Sequence, residues 1–244
     1  VIIGAGHAGT TAAATLRKLN KDIKISLFSD ERSVPYQRPP LSKKTIFSDT
    51  QNYDLILGKD FYDKNDIQLN LDSAVEEINP KQSYVRLNSK EIIEYDQLII
   101  ATGTKGYKLN IPGGELAQTL YSINDAHKLA NSIAKAKKIA VIGGGFIGCE
   151  IASGVQKLNK DVTLLETGPS ILGRSVAPIF AESVSKIHHS QGIKILTNCK
   201  ALSINNRGVE TTSSIISADL VVAGIGVTPN IELATEANLD IDNG

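Results

Sequence analysis

The residues best suited to chemistry lie in two glycine-rich turns, GAGHAG at residues 4–9 and GGGFIG at residues 143–148. In such turns the first glycine permits a tight bend, the second lets the backbone approach a pyrophosphate, and the third lets helix and strand pack closely. The phosphate then lies at the exposed N–H groups of the helix N-terminus. The glycines in these roles are Gly4, Gly6 and Gly9 in the first turn and Gly143, Gly145 and Gly148 in the second. The sequence therefore predicts two nucleotide sites.

An acidic residue ends the strand that follows each turn: Asp30 after the first and Glu166 after the second. A carboxylate at this position accepts hydrogen bonds from the ribose hydroxyls of an adenine nucleotide. It also repels a 2′-phosphate, so Glu166 favours NADH over NADPH. The alternative for either motif alone is a glycine turn that only joins strand to helix, but two complete motifs make that interpretation remote.

The elements around the turns repeat. Residues 1–3, 10–19 and 23–28 predict strand, helix and strand, and residues 139–142, 149–158 and 162–165 predict the same order again. Further strands are expected at residues 84–87 and 92–100, and a helix at residues 177–191. This pattern predicts an α/β protein with two Rossmann-like, doubly wound nucleotide-binding domains.

Composition excludes several classes of protein. Lys and Arg total 26 and Asp and Glu total 26, so charge gives no reason to expect a nucleic-acid or membrane partner. Cys149 and Cys199 form neither a disulfide framework nor a zinc motif, which favours the reducing cytoplasm. His188 and His189 should face different sides of a helix, so no metal site is expected. The sequence lacks Met and begins within a predicted strand, so we expect the natural N-terminus to lie outside it.

A third motif, PYQRPPLSK at residues 35–43, resembles the NADH-dependent ferredoxin, putidaredoxin and rubredoxin reductases, which share their fold with apoptosis-inducing factor. The resemblance continues through residues 101–103, 143–150, 172–174 and 224–230, and so covers essentially the whole chain. It implies the glutathione-reductase-type FAD/NAD(P)-binding fold. The implied division is a first FAD segment at residues 1–112, an inserted NAD domain at 113–228 and a returning FAD segment from 229, with the C-terminal interface domain missing.

The same resemblance implies roles for individual residues. Asp30 would bind the FAD ribose, and Val75 would meet the adenine through its backbone. Lys105 stands where many relatives have Arg, which keeps the charge but loses a planar fork. The residues implied for FAD are Gly4, Gly6, Ala8, Gly9, Asp30, Glu31, Arg38, Lys43, Val75, Ala101, Thr102 and Lys105. Those implied for NAD are Gly143, Gly145, Phe146, Ile147, Gly148, Glu150, Glu166 and Arg174, and Gly226 is a further cofactor contact.

Two of these residues are implied to be catalytic. Glu150 would lie near the nicotinamide amide and pair with Lys43 beside the flavin ring; the alternative for Glu150 is a simple partner of the helix dipole. Phe146 would be a gate over the flavin, or else ordinary packing. Arg174 would approach the adenosine phosphate region of NAD, or else be a solvated surface residue.

The implied activity is hydride transfer from NADH to FAD, followed by single-electron transfer to a small iron–sulfur protein of ferredoxin or rubredoxin type, such as those that serve oxygenases. No cysteine precedes Cys149, which disfavours relay through a dithiol or a reactive cysteine. Two alternatives stay open: an NADH-responsive flavoprotein similar to apoptosis-inducing factor, and a reductase of a small organic acceptor such as monodehydroascorbate or a quinone. The residues do not indicate an oligomeric state.

Overall fold

The computed structural model of the protein describes residues 1–47 and 53–244, and these form two compact units. Unit 1 contains residues 1–37, 53–105 and 228–244. Unit 2 contains residues 106–227 together with the described part of residues 38–52. The domain limits expected from the sequence, at residues 112 and 228, remain a prediction about the complete protein.

The chain alternates helices and short strands. The helices of the described residues are α1 (His7–Leu19), α2 (Phe61–Lys64), α3 (Ile123–Lys135), α4 (Phe146–Gln156), α5 (Pro178–Ser190) and α6 (Glu232–Glu236). The strands are β1 (Ile2–Ile3), β2 (Ile25–Phe28), β3 (Ile67–Asn70), β4 (Val75–Asn79), β5 (Tyr84–Leu87), β6 (Ile92–Glu94), β7 (Ile99–Ile100), β8 (Thr104–Gly106), β9 (Gln118–Thr119), β10 (Lys138–Ile142), β11 (Asp161–Leu165), β12 (Lys194–Leu196), β13 (Ala201–Asn205), β14 (Gly208–Thr211), β15 (Ile215–Ser217), β16 (Leu220–Ala223) and β17 (Val227–Pro229). Short 3-10 helices lie at Thr45–Phe47 and Gly114–Leu116.

Unit 1 is built on a parallel sheet with the strand order β3-β2-β1-β7. Its inward-facing residues include Ile2, Leu27 and Ile67, which pack with Ala13 of α1 in one core. An antiparallel sheet, β4-β5-β6, belongs to the same unit. The first glycine turn lies at the start of the crossover from β1 through α1 to β2, where it joins the end of β1 to the start of α1.

Unit 2 repeats this plan with a parallel sheet in the order β12-β11-β10-β16-β9 and an antiparallel sheet in the order β13-β14-β15. The central strand, β10, is buried from Ile139 to Ile142, as expected for a parallel strand covered on both faces. Helix α3 begins with a capping box between Ser122 and Asp125. The predicted α/β fold with two parallel-sheet units is confirmed.

Several sequence-based boundaries were wrong, and both helices that follow the glycine turns begin three residues earlier than predicted, α1 at His7 rather than residue 10. The strand expected at residues 92–100 is two strands in different sheets: β6 pairs antiparallel with β5, whereas β7 pairs parallel with β1. The second helix begins at Phe146 rather than residue 149, because the Cys149 N–H already bonds to the Gly145 carbonyl at 3.0 Å.

Within the two described stretches, none of the helices has the length and apolar character needed to cross a membrane.

Gly154, in the last turn of α4, lies against the aromatic ring of Phe47. A Cβ atom on Gly154 would come within 2.0 Å of that ring. Alanine normally favours a helix over glycine by up to about 1 kcal/mol, but overpacking of this kind costs about 1–3 kcal/mol. The steric term is therefore expected to be the larger one.

We predict that Gly154→Ala lowers the free energy of unfolding by about 1–2 kcal/mol in urea titrations. In a Phe47→Ala background the ring is gone, and the same substitution should raise the free energy of unfolding by about 0.5–1 kcal/mol through helix propensity. If Gly154→Ala has the same sign in both backgrounds, the contact with Phe47 does not determine the need for glycine.

Candidate nucleotide-binding sites

The first glycine turn joins β1 to α1 in unit 1. Gly4 has a φ of +97°, and a Cβ there would lie 2.2 Å from the Ala101 carbonyl oxygen. A Cβ on Gly9 would lie 1.9 Å from the Gly4 carbonyl oxygen. Around Gly6, by contrast, no heavy atom of the described residues would come within 4 Å of a Cβ. The first and third glycines are thus required by packing, whereas the second borders open space.

The second turn joins β10 to α4 in unit 2 and has the same geometry. Gly143 has a φ of +103°, and its Cβ would lie 2.4 Å from the Gly224 carbonyl oxygen. A Cβ on Gly148 would lie 1.9 Å from the Gly143 carbonyl oxygen, while one on Gly145 would meet no described atom within 4 Å. In both turns, therefore, packing requires the first and third glycines, whereas the second glycine borders open space.

Both helices that follow these turns start without a side-chain cap. Gly6 is the N-cap of α1 and Gly145 the N-cap of α4, and neither has a side chain that could accept from the first N–H groups. Orphan N–H groups and the positive end of the helix dipole favour an anion. Because the backbone beside Gly6 and Gly145 is also uncovered, the residues present fit a dinucleotide pyrophosphate at each turn.

A cavity of about 190 Å³ in unit 1 adjoins the first turn. Gly4, Asp30, Val75 and Thr102 line it, so four residues implied for FAD are brought together. Its wall also contains residues that the sequence analysis did not assign: Ile3, Phe28, Ser73, Ala74, Asn230, Glu232 and Leu233. Among these, Asn230 is the last residue of GIGVTPN at residues 224–230, one of the segments that carried the resemblance. That resemblance was the signal by which the sequence could have indicated Asn230 as a site residue.

Hydrogen bonds fix Asn230 in this wall. Its Nδ2 donates to the Thr102 carbonyl at 2.8 Å, and the Thr102 hydroxyl donates to the Asn230 carbonyl at 2.8 Å. The Asn230 N–H donates to the Gly103 carbonyl at 2.9 Å. The returning segment is therefore held against Thr102 and Gly103, which lie between β7 and β8.

Two further residues implied for FAD have protein partners in unit 1. The Lys105 ammonium pairs with the Glu232 carboxylate and holds the pKa of Glu232 below its ordinary value. Glu31 accepts a hydrogen bond from the Tyr36 hydroxyl at 2.6 Å. Ala8 is exposed on the first turn of α1. Contact of these three residues with FAD stays a prediction.

Glu166 is buried beside the second turn, with 9% of its surface exposed. One carboxylate oxygen accepts the Gly144 N–H at 2.8 Å, and the other accepts the Gly168 N–H at 2.7 Å. The Thr167 hydroxyl donates to the second oxygen at 3.2 Å. These donors hold a negative charge at the end of β11, where the sequence analysis expects the ribose of NAD.

The expected pair between Lys43 and Glu150 is present in unit 2. Lys43 Nζ lies 3.1 Å from Glu150 Oε1. A third residue, which the sequence analysis did not assign, joins them: the buried Ser42 hydroxyl donates to Glu150 Oε2. The catalytic roles of Lys43 and Glu150 remain a prediction.

Arg38 also belongs to unit 2. Its Nη1 donates to the Tyr121 carbonyl at 2.8 Å, and its guanidinium lies 4.3 Å from the centre of the Tyr121 ring. A cation over an aromatic face is favourable, so this arginine is held by two interactions with one residue. Its contact with FAD, like that of Lys43, stays a prediction.

The other residues implied for NAD lie at the surface of unit 2. Phe146 is 56% exposed and Ile147 37% exposed on the first turn of α4, although both are apolar. Arg174 is exposed in the segment between β11 and α5. Gly226 has a φ of +107°, and a Cβ there would lie 3.5 Å from the Tyr107 ring. Phe146 is therefore not part of the core of unit 2, and its role as a gate over the flavin stays a prediction.

The cysteines and the two adjacent histidines were not expected to bind a cofactor. Cys149 and Cys199 are free and buried. His188 is buried with Nε2 3.2 Å from the Cys149 carbonyl, whereas His189 is exposed, so the two adjacent histidines do face different sides. Within residues 1–47 and 53–244, no group of three or more His, Cys, Asp or Glu side chains is arranged to hold a metal ion.

Known proteins share both the sequence and the fold. The chain is 38% identical over its whole length to rhodocoxin reductase from Rhodococcus erythropolis, covering 59% of that protein. It is 36% identical over its whole length to rubredoxin-NAD(+) reductase from Pseudomonas putida, covering 66% of it. A solved ferredoxin reductase of the CYP199A2 system from Rhodopseudomonas palustris matches with a TM-score of 0.96 and 31% identity, over all of this chain and 62% of that one.

The chain thus spans about three fifths to two thirds of the length of these relatives. The family model described as pyridine nucleotide-disulphide oxidoreductase matches residues 1–244, which is the whole chain. Members of that family bind FAD and NAD(H). On this match, and on the two glycine turns that it includes, the chain belongs to the pyridine nucleotide-disulphide oxidoreductase family.

Proposed function

We propose that the complete protein is an NADH-dependent FAD flavoprotein that passes electrons to a small iron–sulfur carrier of ferredoxin or rubredoxin type. One observation carries the proposal: the same open glycine turn is built twice, once in each unit, with a carboxylate at the end of the following strand. Two dinucleotide sites in one chain suit an enzyme that moves a hydride between two bound cofactors.

The first site suits FAD. The cavity beside Gly4 is lined by Asp30 and Val75, which are suitably placed for a ribose and an adenine, and by Thr102, which lies just beyond the end of β7. The open backbone at Gly6 leaves room for the pyrophosphate. Bound FAD and NADH would supply hydride transfer and the release of single electrons. The residues of the chain bind and orient these cofactors, and the transfer of the hydride itself needs no dedicated acid or base.

The second site suits NADH. Gly168 and Thr167 both donate to one oxygen of the Glu166 carboxylate, so a single acceptor position remains on the other oxygen, beside the one that accepts the Gly144 N–H, and a ribose hydroxyl can donate to it. A 2′-phosphate at the same place would be repelled by a buried negative charge, whose field is only weakly screened. Phe146 and Glu150, on the first turns of α4, are proposed to meet the nicotinamide end of the nucleotide.

The relatives support the choice of acceptor. Their names refer to rubredoxin, rhodocoxin and ferredoxin as the proteins that they reduce. A thiol relay has no comparable support here, because both cysteines are buried and belong to unit 2. Burial, followed by the nearby charges of Glu166 and Glu150, raises the pKa of the Cys149 thiol to about 12. A location in the cytoplasm, where both thiols stay reduced, is part of this proposal.

Cys149 is predicted to be inert to alkylation in the folded protein. With a pKa of about 12 its thiolate fraction at pH 8 is roughly a thousandfold below that of an ordinary thiol, and the side chain is buried as well. Treatment with iodoacetamide at pH 8, followed by mass spectrometry, should leave Cys149 unmodified, and urea should make it reactive. The modification rate of the folded protein should rise as the pH increases towards 12. Rapid modification at pH 8 without denaturant would contradict this and revive a thiol-based mechanism.

Glu166→Gln tests the choice of nucleotide. The substitution removes the charge and keeps the shape, so the ratio of kcat/KM for NADPH to kcat/KM for NADH should rise by about tenfold, equivalent to about 1.4 kcal/mol. The matched control is Glu182→Gln, which removes an exposed carboxylate of α5 that pairs with Lys186. The assignment to NADH fails if Glu166→Gln folds normally and leaves the ratio unchanged.

The function itself is tested on the complete protein by anaerobic visible spectroscopy. NADH should bleach the flavin rapidly, NADPH should do so far more slowly, and an added ferredoxin or rubredoxin should reoxidise it. A long-lived complex that these carriers cannot discharge would favour an NADH-responsive flavoprotein similar to apoptosis-inducing factor. Discharge only by a quinone or by monodehydroascorbate would favour a reductase of small organic acceptors.

A further inference from the structure

Residues 38–47, called the strap from here on, lie in unit 2 with helix α4. The strap carries Lys43, which pairs with Glu150, and also Ser42, which lies in the PYQRPPLSK motif but was given no role by the resemblance. Ser42 is 5% exposed, so its hydroxyl is shielded from water. The strap therefore brings two different hydrogen-bond donors to one carboxylate of α4.

Contacts on both sides of Ser42 anchor the strap. On one side, Arg38 binds the carbonyl and the ring of Tyr121. On the other, the Phe47 ring fills the space that the missing side chain of Gly154 leaves on α4. Between them, the Ile46 N–H bonds to the Leu41 carbonyl at 3.3 Å. The backbone of the strap is consequently anchored on both sides of Ser42. Because the serine side chain is short, the position of its hydroxyl follows directly from the position of that backbone.

The two donors to Glu150 differ in how firmly they hold it. The Lys43 side chain is 55% exposed and that of Glu150 30% exposed, and an ion pair open to water contributes little to orientation. The Ser42 side chain is buried, and a hydrogen bond from a hydroxyl to a charged acceptor is of the stronger kind. Ser42 rather than Lys43 is thus the group that fixes the carboxylate.

Building on the proposed function, we infer that Ser42 is a positioning residue that orients Glu150 towards the nicotinamide nucleotide. Each oxygen of an ionised carboxylate can accept two hydrogen bonds. With Oε1 paired to Lys43 and Oε2 bonded to Ser42, each oxygen keeps one free position, and both positions have fixed directions. The amide group of a nicotinamide is a donor of the right chemistry for them.

The test uses the complete flavoprotein and two readouts. Ser42→Ala should weaken NAD⁺ binding, measured by calorimetry, by about tenfold and raise the KM for NADH similarly, since a hydrogen bond to a charged group is lost. FAD content and Tm should stay close to those of the wild type. Ser42→Cys, which is nearly isosteric and a weak donor, should shift both readouts in the same direction and serves if the alanine variant folds poorly. The matched control is Ser183→Ala, an exposed serine of α5 that bonds only to its own helix.

A double-mutant cycle separates positioning from a general structural effect. In a Glu150→Gln background, Ser42→Ala should produce little further loss of NAD⁺ affinity, because its effect acts through the carboxylate. Equal losses in both backgrounds, or unchanged affinity in Ser42→Ala, would overturn the inference. The wild-type arm reports separately on the function: absence of any NAD⁺ binding there would overturn the proposed function, whereas normal binding with no effect of Ser42 would overturn only this inference.

Discussion

In each glycine turn the first glycine has a positive φ and packs against a backbone carbonyl just beyond the end of a neighbouring strand. This contact leaves no room for a side chain. Gly4 meets the Ala101 carbonyl and Gly143 meets the Gly224 carbonyl. Close approach here sets the end of the central strand, the start of the helix and the direction of the first helical N–H groups. A larger residue at either position would move the helix away from the sheet and would destroy the place where a phosphate can bind.

The negative charges around α4 follow from that arrangement. Glu166 is buried because the turn offers it the Gly144 N–H, and Glu150 lies one residue beyond Cys149 on the same helix. Their fields, added to burial, keep the intervening thiol protonated. The same local structure that suits a nicotinamide nucleotide therefore makes this cysteine a poor nucleophile.

Much of the fold and part of the candidate site could be predicted from sequence. The glycine turns, the two acids and the alternation of strands and helices depend on local spacing, which a single sequence shows directly. The bond from Ser42 to Glu150 joins residues 108 positions apart, and that from Arg38 to Tyr121 joins residues 83 apart, so spacing gives no sign of either. The pairing of Lys43 with Glu150 came from resemblance alone.

The strand boundary at residues 92–100 was missed for a similar reason. An apolar run looks the same whether its partner is the adjacent β5 or the distant β1, and only the tertiary pairing divides it between two sheets. The asparagine of the GIGVTPN motif was quoted for resemblance, but its role became visible only once its bonds to Thr102 were known.

The cavity wall of unit 1 has a consequence for the order of folding. Asn230, Glu232 and Leu233 line the cavity together with Ile3, Gly4 and Phe28, and the whole of residues 106–227 separates these two groups in the sequence. On a ribosome, unit 2 can complete its sheets while this cavity still lacks one side, because domains fold as their residues emerge. Long sequence separation also makes such contacts slow to form. The candidate FAD cavity can therefore be completed only after residues 106–227 have been synthesised.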